Sequence, residues 1–242
     1  MTLLTEPTRI VLAKGQPVPN DPNFAFNSLL LHGDGTNGST VITDSSGSPK
    51  AVTAVGNAQI STAIADPFGN STGVIAFDGT GDYLSINGST GLLNFSSADF
   101  TVEAWVYVNS IARRNIIGNY SGTVANSSYV LQVLSSGNIE SVLYVGNGAI
   151  TRAQASLSAN AWTHIASVRN SNTLATYVNG IATATAAITP GASINTSSAE
   201  IRIGAEGGGF FWNGYIDDLR ITKGVARYTS NFTPPTLPFP DF

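Results

Sequence analysis

The stretch Phe100-Thr101-Val102-Glu103-Ala104-Trp105-Val106-Tyr107-Val108 decides the fold class. Phe100, Val102, Ala104, Val106 and Val108 fall on one side by the two-residue period of an extended chain, and Glu103, Trp105 and Tyr107 fall on the other. The stretch therefore reads as a strand with one face turned to a core. Further along, Tyr129 to Leu134 and Ile139 to Val145 flank Ser135-Ser136-Gly137-Asn138, a hairpin whose second strand meets another turn at Gly146-Asn147-Gly148. Trp162 to Arg169 and Leu174 to Val178 lead into Asn179-Gly180, residue types that accept the positive φ required at both central positions of a type I′ turn. Ile181 onward is then the returning strand. The alternation of Ala182-Thr183-Ala184-Thr185 after such a turn outweighs the helix its alanines would permit. Turn signals recur about every 8–12 residues, the rhythm of sandwiches and barrels. No long apolar stripe of 3.6-residue period and no fixed-period repeat interrupts it. The predicted class is all-β.

The two ends differ from this middle. Pro7, Pro17, Pro19 and Pro22 make residues 1–27 an N-terminal arm or linker, because proline removes backbone donors and cannot continue a regular element. Residues 229–242 form a proline-rich tail expected to run extended over the domain surface. The domain proper spans residues 28–228.

Composition narrows the function. The 242 residues carry 11 Lys plus Arg against 15 Asp plus Glu, a net charge of -4. Charged residues make up 11%, under half of the roughly 25% usual for soluble domains. The surface is thus polar but mostly uncharged. So few cations gain little from phosphate counterion release, so no nucleic-acid partner and no anionic membrane partner is expected. No run of eighteen apolar residues occurs, and the opening Met1-Thr2-Leu3-Leu4-Thr5-Glu6-Pro7 has neither the basic start nor the apolar run of a signal peptide. The expectation is a soluble chain without its own export signal. With no cysteine, disulfides, thiolate nucleophiles and zinc-cysteine sites are excluded.

Candidate chemistry is sparse. Glycoside hydrolysis needs two carboxylates that flank the same bond. Glu103, Glu140, Glu200 and Glu206 are isolated in sequence, and Asp217-Asp218 points to opposite faces if its strand is regular. Of two histidines, His164 lies in the strand starting at Trp162 and reads as a ring hydrogen-bonded within the sheet. No His-Glu-x-x-His motif is present. Gly204-Ala205-Glu206-Gly207-Gly208-Gly209 lacks the Lys-Ser/Thr of a phosphate loop and reads as a rim loop. A sugar site would need exposed aromatic planes beside neutral hydrogen-bonding groups. Phe210, after that glycine loop, and Tyr120 are the candidates; Trp105, Trp162 and Trp212 are assigned to core packing. Arg113-Arg114 is the one basic doublet, read as a solvated turn, an inter-subunit ion pair or a ligand contact.

Four blocks together resemble the concanavalin A-like jelly rolls, in their laminin-G-like and pentraxin-like branch. They are Phe77-Asp78-Gly79-Thr80-Gly81-Asp82-Tyr83-Leu84, the strand from Phe100 to Val106, Trp162-Thr163-His164-Ile165-Ala166 with Tyr177-Val178-Asn179-Gly180, and Asn213-Gly214-Tyr215-Ile216-Asp217-Asp218-Leu219-Arg220-Ile221. The resemblance implies an antiparallel β-sandwich jelly roll. It also implies Ca²⁺, with Asp217 as first ligand candidate and Asp78 and Asp82 as further carboxylates; the competing reading is that these aspartates cap turns. A narrower resemblance, to domains in virion proteins of tailed bacteriophages, rests on Ser28-Leu29-Leu30-Leu31-His32-Gly33-Asp34-Gly35-Thr36-Asn37-Gly38, on Ala54-Val55-Gly56-Asn57-Ala58, and on Arg220-Ile221-Thr222-Lys223-Gly224-Val225-Ala226-Arg227-Tyr228. It implies a non-enzymatic structural protein of the virion, a capsid decoration or tail-fibre component. Its partners would be other virion proteins and further copies of itself, with a host-surface glycan as ligand. A stand-alone calcium-dependent lectin and a polysaccharide-degrading hydrolase are the alternatives.

Overall fold

The computed structural model describes residues 20–207 and 209–242. Among them, fifteen strands follow one another with only short 3-10 turns between. The first eight are β1 (Asn27–Leu31), β2 (Thr53–Val55), β3 (Gln59–Ser61), β4 (Val74–Asp78), β5 (Tyr83–Ile86), β6 (Phe100–Val108), β7 (Arg114–Gly118) and β8 (Tyr129–Val133). The rest are β9 (Asn138–Val145), β10 (Gly148–Ser156), β11 (Trp162–Asn170), β12 (Thr173–Val178), β13 (Ile181–Ala187), β14 (Ile201–Ile203) and β15 (Asn213–Lys223). No helix of the described residues is long and apolar enough to cross a membrane.

The strands form two antiparallel sheets packed face to face, as predicted. The eight-stranded sheet runs β13-β12-β11-β6-β15-β4-β3, with β1 pairing the second half of β15; the seven-stranded sheet runs β10-β9-β8-β7-β14-β5-β2. Between them the predicted row Phe100, Val102, Ala104, Val106 and Val108 is buried, joined by Ile165, Ile216, Leu219 and Ile221. Facing it are Ile117, Leu131, Val133, Leu143, Ile201 and Ile203. Burying such rows is the main favourable term in the fold. Phe95 stacks on Phe100 with ring centroids 4.1 Å apart, and Tyr129 meets both edge-on at 5.6 Å. The Ser141 and Ser167 hydroxyls, 2.7 Å apart, satisfy each other inside this apolar layer.

Three expectations need correction. Only Trp212 of the three tryptophans enters the core. Trp105 and Trp162 lie on the outer face of the eight-stranded sheet: Trp105 meets His164 edge-on at 5.3 Å, and Trp162 donates its indole N–H to the Ala65 carbonyl at 3.0 Å. The pair Asp217-Asp218 does not alternate. Asp217 pairs with Trp105 and Arg220 with Glu103, so β15 carries an extra residue, a β-bulge, with Asp218 at φ 45°. Both carboxylates are buried, and Asp218 turns its Oδ1 to His32 Nδ1 at 2.5 Å and accepts the Phe239 N–H at 2.7 Å on Oδ2. Finally, of the predicted arm, residues 1–19 lie outside the described residues, while Asp21 and Asn27 are buried and Asn27 begins β1.

The C-terminal segment covers the outer face of the eight-stranded sheet. Tyr228 and Phe232 stack at 3.5 Å, Phe232 packs on Tyr177, and Phe239 lies 3.6 Å over the Arg220 guanidinium. Beneath them the Arg220 guanidinium donates to Glu103 Oε1 at 2.8 and 3.0 Å, the Tyr228 hydroxyl donates to Glu103 Oε2 at 2.7 Å, and Arg227 grips Asp21 at 2.7 and 3.0 Å. Among the described residues, the face of the seven-stranded sheet carries no such cover.

Candidate functional site

The open face is where the predicted ligand residues meet. Along β8, β9 and β14 the two-residue period turns Gln132, Glu140, Tyr144 and Arg202 outward while their neighbours enter the core. Two loops rise beside them: residues 119–128 after β7, and residues 205–207 and 209–212 after β14. They enclose an open cleft of about 730 Å³ whose lining includes Arg113, Tyr120, Tyr144, Glu206 and Phe210. Three of the four residues predicted for ligand binding thus share one cavity. Arg114 does not line it; its guanidinium donates to the Phe211 carbonyl at 2.6 Å and so holds the second loop from behind.

Both loops are fixed by backbone capture. The buried Asn119 side-chain oxygen accepts from the Ser128 N–H, the Ser128 hydroxyl and the Tyr129 N–H at 2.9–3.2 Å, closing the first loop at its base. Asn195 then donates to the Val124 carbonyl at 3.0 Å, and the Ser197 hydroxyl to the Asn126 carbonyl at 2.5 Å. In the second loop Glu206 and Gly209 exchange backbone hydrogen bonds of 2.9 and 3.0 Å. Asn115 donates its N–H to the Phe210 carbonyl at 2.9 Å and its side-chain amide to the Ala205 carbonyl. Phe210 sits at φ 54°, a left-handed conformation, and the residue is 39% exposed at the cleft.

The charged groups in the cleft are mutually engaged. The Arg113 guanidinium lies 4.0 Å from the Phe210 ring centroid, donates to Gln132 Oε1 at 3.2 Å and reaches Glu206 at 3.5 Å. Gln132 passes the connection on by donating to Glu140 at 2.6 Å. Arg202 stacks 4.4 Å over Tyr83 and donates to Glu200 at 2.6 Å. Tyr120 and Tyr144 stack with centroids 5.7 Å apart. Burial, reinforced by the nearby Glu206 charge, pushes the Tyr144 hydroxyl up to about 12, so it remains a neutral donor at any ordinary pH. Burial also raises the Glu206 carboxyl against the pull of Arg113, whereas the Ser85 hydroxyl and Arg202 outweigh burial at Glu200 and lower it. The cleft therefore offers aromatic faces ringed by hydroxyl, amide and paired ionic groups, a set suited to a ligand with apolar faces and polar edges. Tyr144, Gln132 and Arg202 were missed in the sequence. The signal for them is outward register on three strands, and it acquires meaning only once those strands are neighbours.

The aspartates considered for calcium do not converge. Asp78 pairs with Asn213, four residues from Asp217 and thus about 13 Å away along the strand. Asp82 accepts the N–H groups of Asn57 at 2.6 Å and Asp78 at 2.9 Å, and Asp78 accepts that of Thr80 at 2.7 Å, as turn-capping carboxylates do. Asp217 is buried with Oδ1 unpartnered, and burial together with Asp218 pushes its carboxyl upward. Among the described residues no three or more His, Cys, Asp or Glu side chains are grouped as metal ligands.

The profile of the Concanavalin A-like lectin/glucanases superfamily matches residues 78–227, more than half of the chain. No curated protein matches it in sequence. Among solved structures, the receptor binding domain of botulinum neurotoxin C/D mosaic serotype is similar with TM-score 0.62 and 20% identity, covering 84% of this chain and 49% of that one. The binding domain of Paraclostridial Mosquitocidal Protein 1 gives TM-score 0.63 and 18% identity over 84% and 50%. A structure of botulinum neurotoxin type C, whose cell entry depends on interaction with two ganglioside molecules, gives 0.60 and 17% over 84% and 49%. The chain spans about half the length of these structures, and the likeness at such identities is one of fold.

Proposed function

Because the chain belongs to the concanavalin A-like lectin/glucanases superfamily, we propose that it is a non-catalytic carbohydrate-binding domain that holds its glycan in the cleft of the seven-stranded sheet. The observation that carries this reading is the convergence of Phe210, Tyr120 and Arg113 on one preformed cavity beside the neutral donors Tyr144 and Gln132. Preformed walls lower the ordering cost of binding. The ganglioside dependence of the type C neurotoxin shows that a protein containing this fold engages glycans, and lends support at that level only.

On an array of neutral and acidic glycans the protein should retain a subset, and Tyr120→Ala and Phe210→Ala should each weaken that binding about tenfold or more, as loss of one stacked aromatic does. Excess chelator should leave binding unchanged, since Asp78, Asp82 and Asp217 do not line the cleft. Retention of no glycan would end the reading; sensitivity to chelator would favour the calcium-dependent lectin.

Placement of this domain in a phage particle, as a capsid decoration or tail-fibre component beside other copies and other virion proteins, rests on the sequence likeness of residues 28–38, 54–58 and 220–228. Immunogold labelling of purified particles would test it. A hydrolase reading is favoured by one observation, that Glu206 and Glu200 line the same cleft with carboxyls shifted in opposite directions. Both are engaged by arginines, which favours binding over proton transfer. Release of reducing ends from a bound polysaccharide, abolished by Glu206→Gln, would reverse that choice.

A further inference from the structure

A second cavity, of about 590 Å³, adjoins the first and shares Ser121 and Ala199 with it. Its character is different. No aromatic and no charged side chain lines it; Ser89, Asn126, Thr196 and Ser198, all exposed, present short neutral donors and acceptors. Its walls are as fixed as those of the first: Asn94 donates to the Ser197 carbonyl at 3.2 Å and accepts the Ser197 N–H at 2.9 Å, while Asn87 accepts the Ser89 N–H at 2.9 Å. Each cavity alone has the volume that encloses a drug-sized ligand. A single sugar in the aromatic half would leave the polar half to water.

We infer that the two cavities form one continuous site whose ligand is an oligosaccharide of three or more units, uncharged where it crosses the polar half. This deepens the carbohydrate-binding reading and rests on it. One ring stacks against Phe210 and Tyr120, where the arginines and tyrosines fix its orientation. The following units run past Ser121 and Ala199 and exchange hydroxyl hydrogen bonds with Ser89, Thr196, Ser198 and Asn126. The absence of a cation in that lining disfavours carboxylated sugars there, because a carboxylate would lose water without gaining an ionic partner. Affinity should therefore rise with chain length and then level off once the polar half is filled.

Calorimetric titration with mono-, tri- and hexasaccharides of glucose, mannose and N-acetylglucosamine tests this. In the series that binds, the trisaccharide should bind about tenfold or more tightly than the monosaccharide, and the hexasaccharide no more than a few-fold better again. Ser198→Trp, at an exposed position, should fill the polar half and remove the gain with length while leaving monosaccharide binding unchanged. Ser89→Trp, in a turn remote in sequence from Ser198, should do the same, guarding against a local fault in either variant. Equal affinity at all lengths, or an unaltered length dependence in both variants, overturns the extended site while the carbohydrate reading stands. Binding of none of the three series overturns the extended site, and only retention of no glycan on the array overturns the carbohydrate reading with it.

Discussion

At Glu103 a fully buried carboxylate is kept charged by its neighbours. Burial alone would raise it, but the Arg220 guanidinium, the His164 ring and the Tyr228 hydroxyl hold it down to about 2. A carboxyl lowered on folding stabilises the fold above its ordinary value of 4.5 and loses that contribution as pH falls toward 2. The difference corresponds to about 3 kcal/mol, so the Glu103 contribution, read as the difference in urea midpoint between the protein and Glu103→Gln, should be constant above about pH 5 and decline steeply below pH 4. Glu103→Ala should cost about 3 kcal/mol or more at neutral pH, because it strands the buried Arg220 charge; a loss below 1 kcal/mol would show that the network is not held as described. The outward position of Glu103 was legible in the alternation of its strand. Its burial was not, since the cover comes from residues more than a hundred positions away. Gly180 shows the same division. The Asn179-Gly180 turn was readable and has φ values of 48° and 76°, but a Cβ at Gly180 would also stand 1.9 Å from the Phe232 carbonyl oxygen, a contact no local pattern contains.

The segment from Gly224 to Phe242 has no regular element, yet it acts as a cover strap for β6, β11, β12 and β15. It is fastened at Gly180, which accepts the Phe232 N–H at 2.9 Å, and at Asp218, which accepts that of Phe239. Phe239→Ala removes a buried ring and its stack on Arg220 and should lower stability by about 3–5 kcal/mol, whereas Phe242→Ala, half exposed, should change it by about 0.5 kcal/mol or less. Chemical denaturation of the two variants side by side checks this; equal small losses would mean that the strap is not docked in solution. The bulge in β15 belongs to the same scale. A regular strand was the natural expectation for Asp217-Asp218, and the extra residue became visible only where Trp105 and Glu103 on β6 fixed the register.

For the molecule as a whole, the pairing of β1 with β15 joins Leu30 to Arg220 and ties the beginning of the described chain to its end. Such non-local pairing forms slowly, and a domain built on it should fold on the millisecond-to-second scale in one cooperative step. Tryptophan fluorescence reports Trp105 and Trp162 on one outer face and Trp212 in the core, while circular dichroism reports both sheets. The two unfolding curves should coincide; separated transitions would mean that the sheets do not share one core. This architecture also allocates the faces, one closed by the strap and one left open as the cleft.

Alternation along β6, the hairpin chemistry of Asn179-Gly180 and the absence of helical periodicity determined an all-β class from sequence, because these are signals between residues a few positions apart; the sandwich was what the family resemblance implied. Phe210, Tyr120 and Arg113 were legible as candidates for the same local reason: aromatic or basic residues in turn-rich segments. Their convergence, the recruitment of Tyr144 and Gln132, the separation of Asp217 from Asp78 and Asp82, and the choice of open face were decided by tertiary structure. These depend on which strands become neighbours and where a strap without secondary structure lies down, and such long-range pairings are set by the global packing of two sheets.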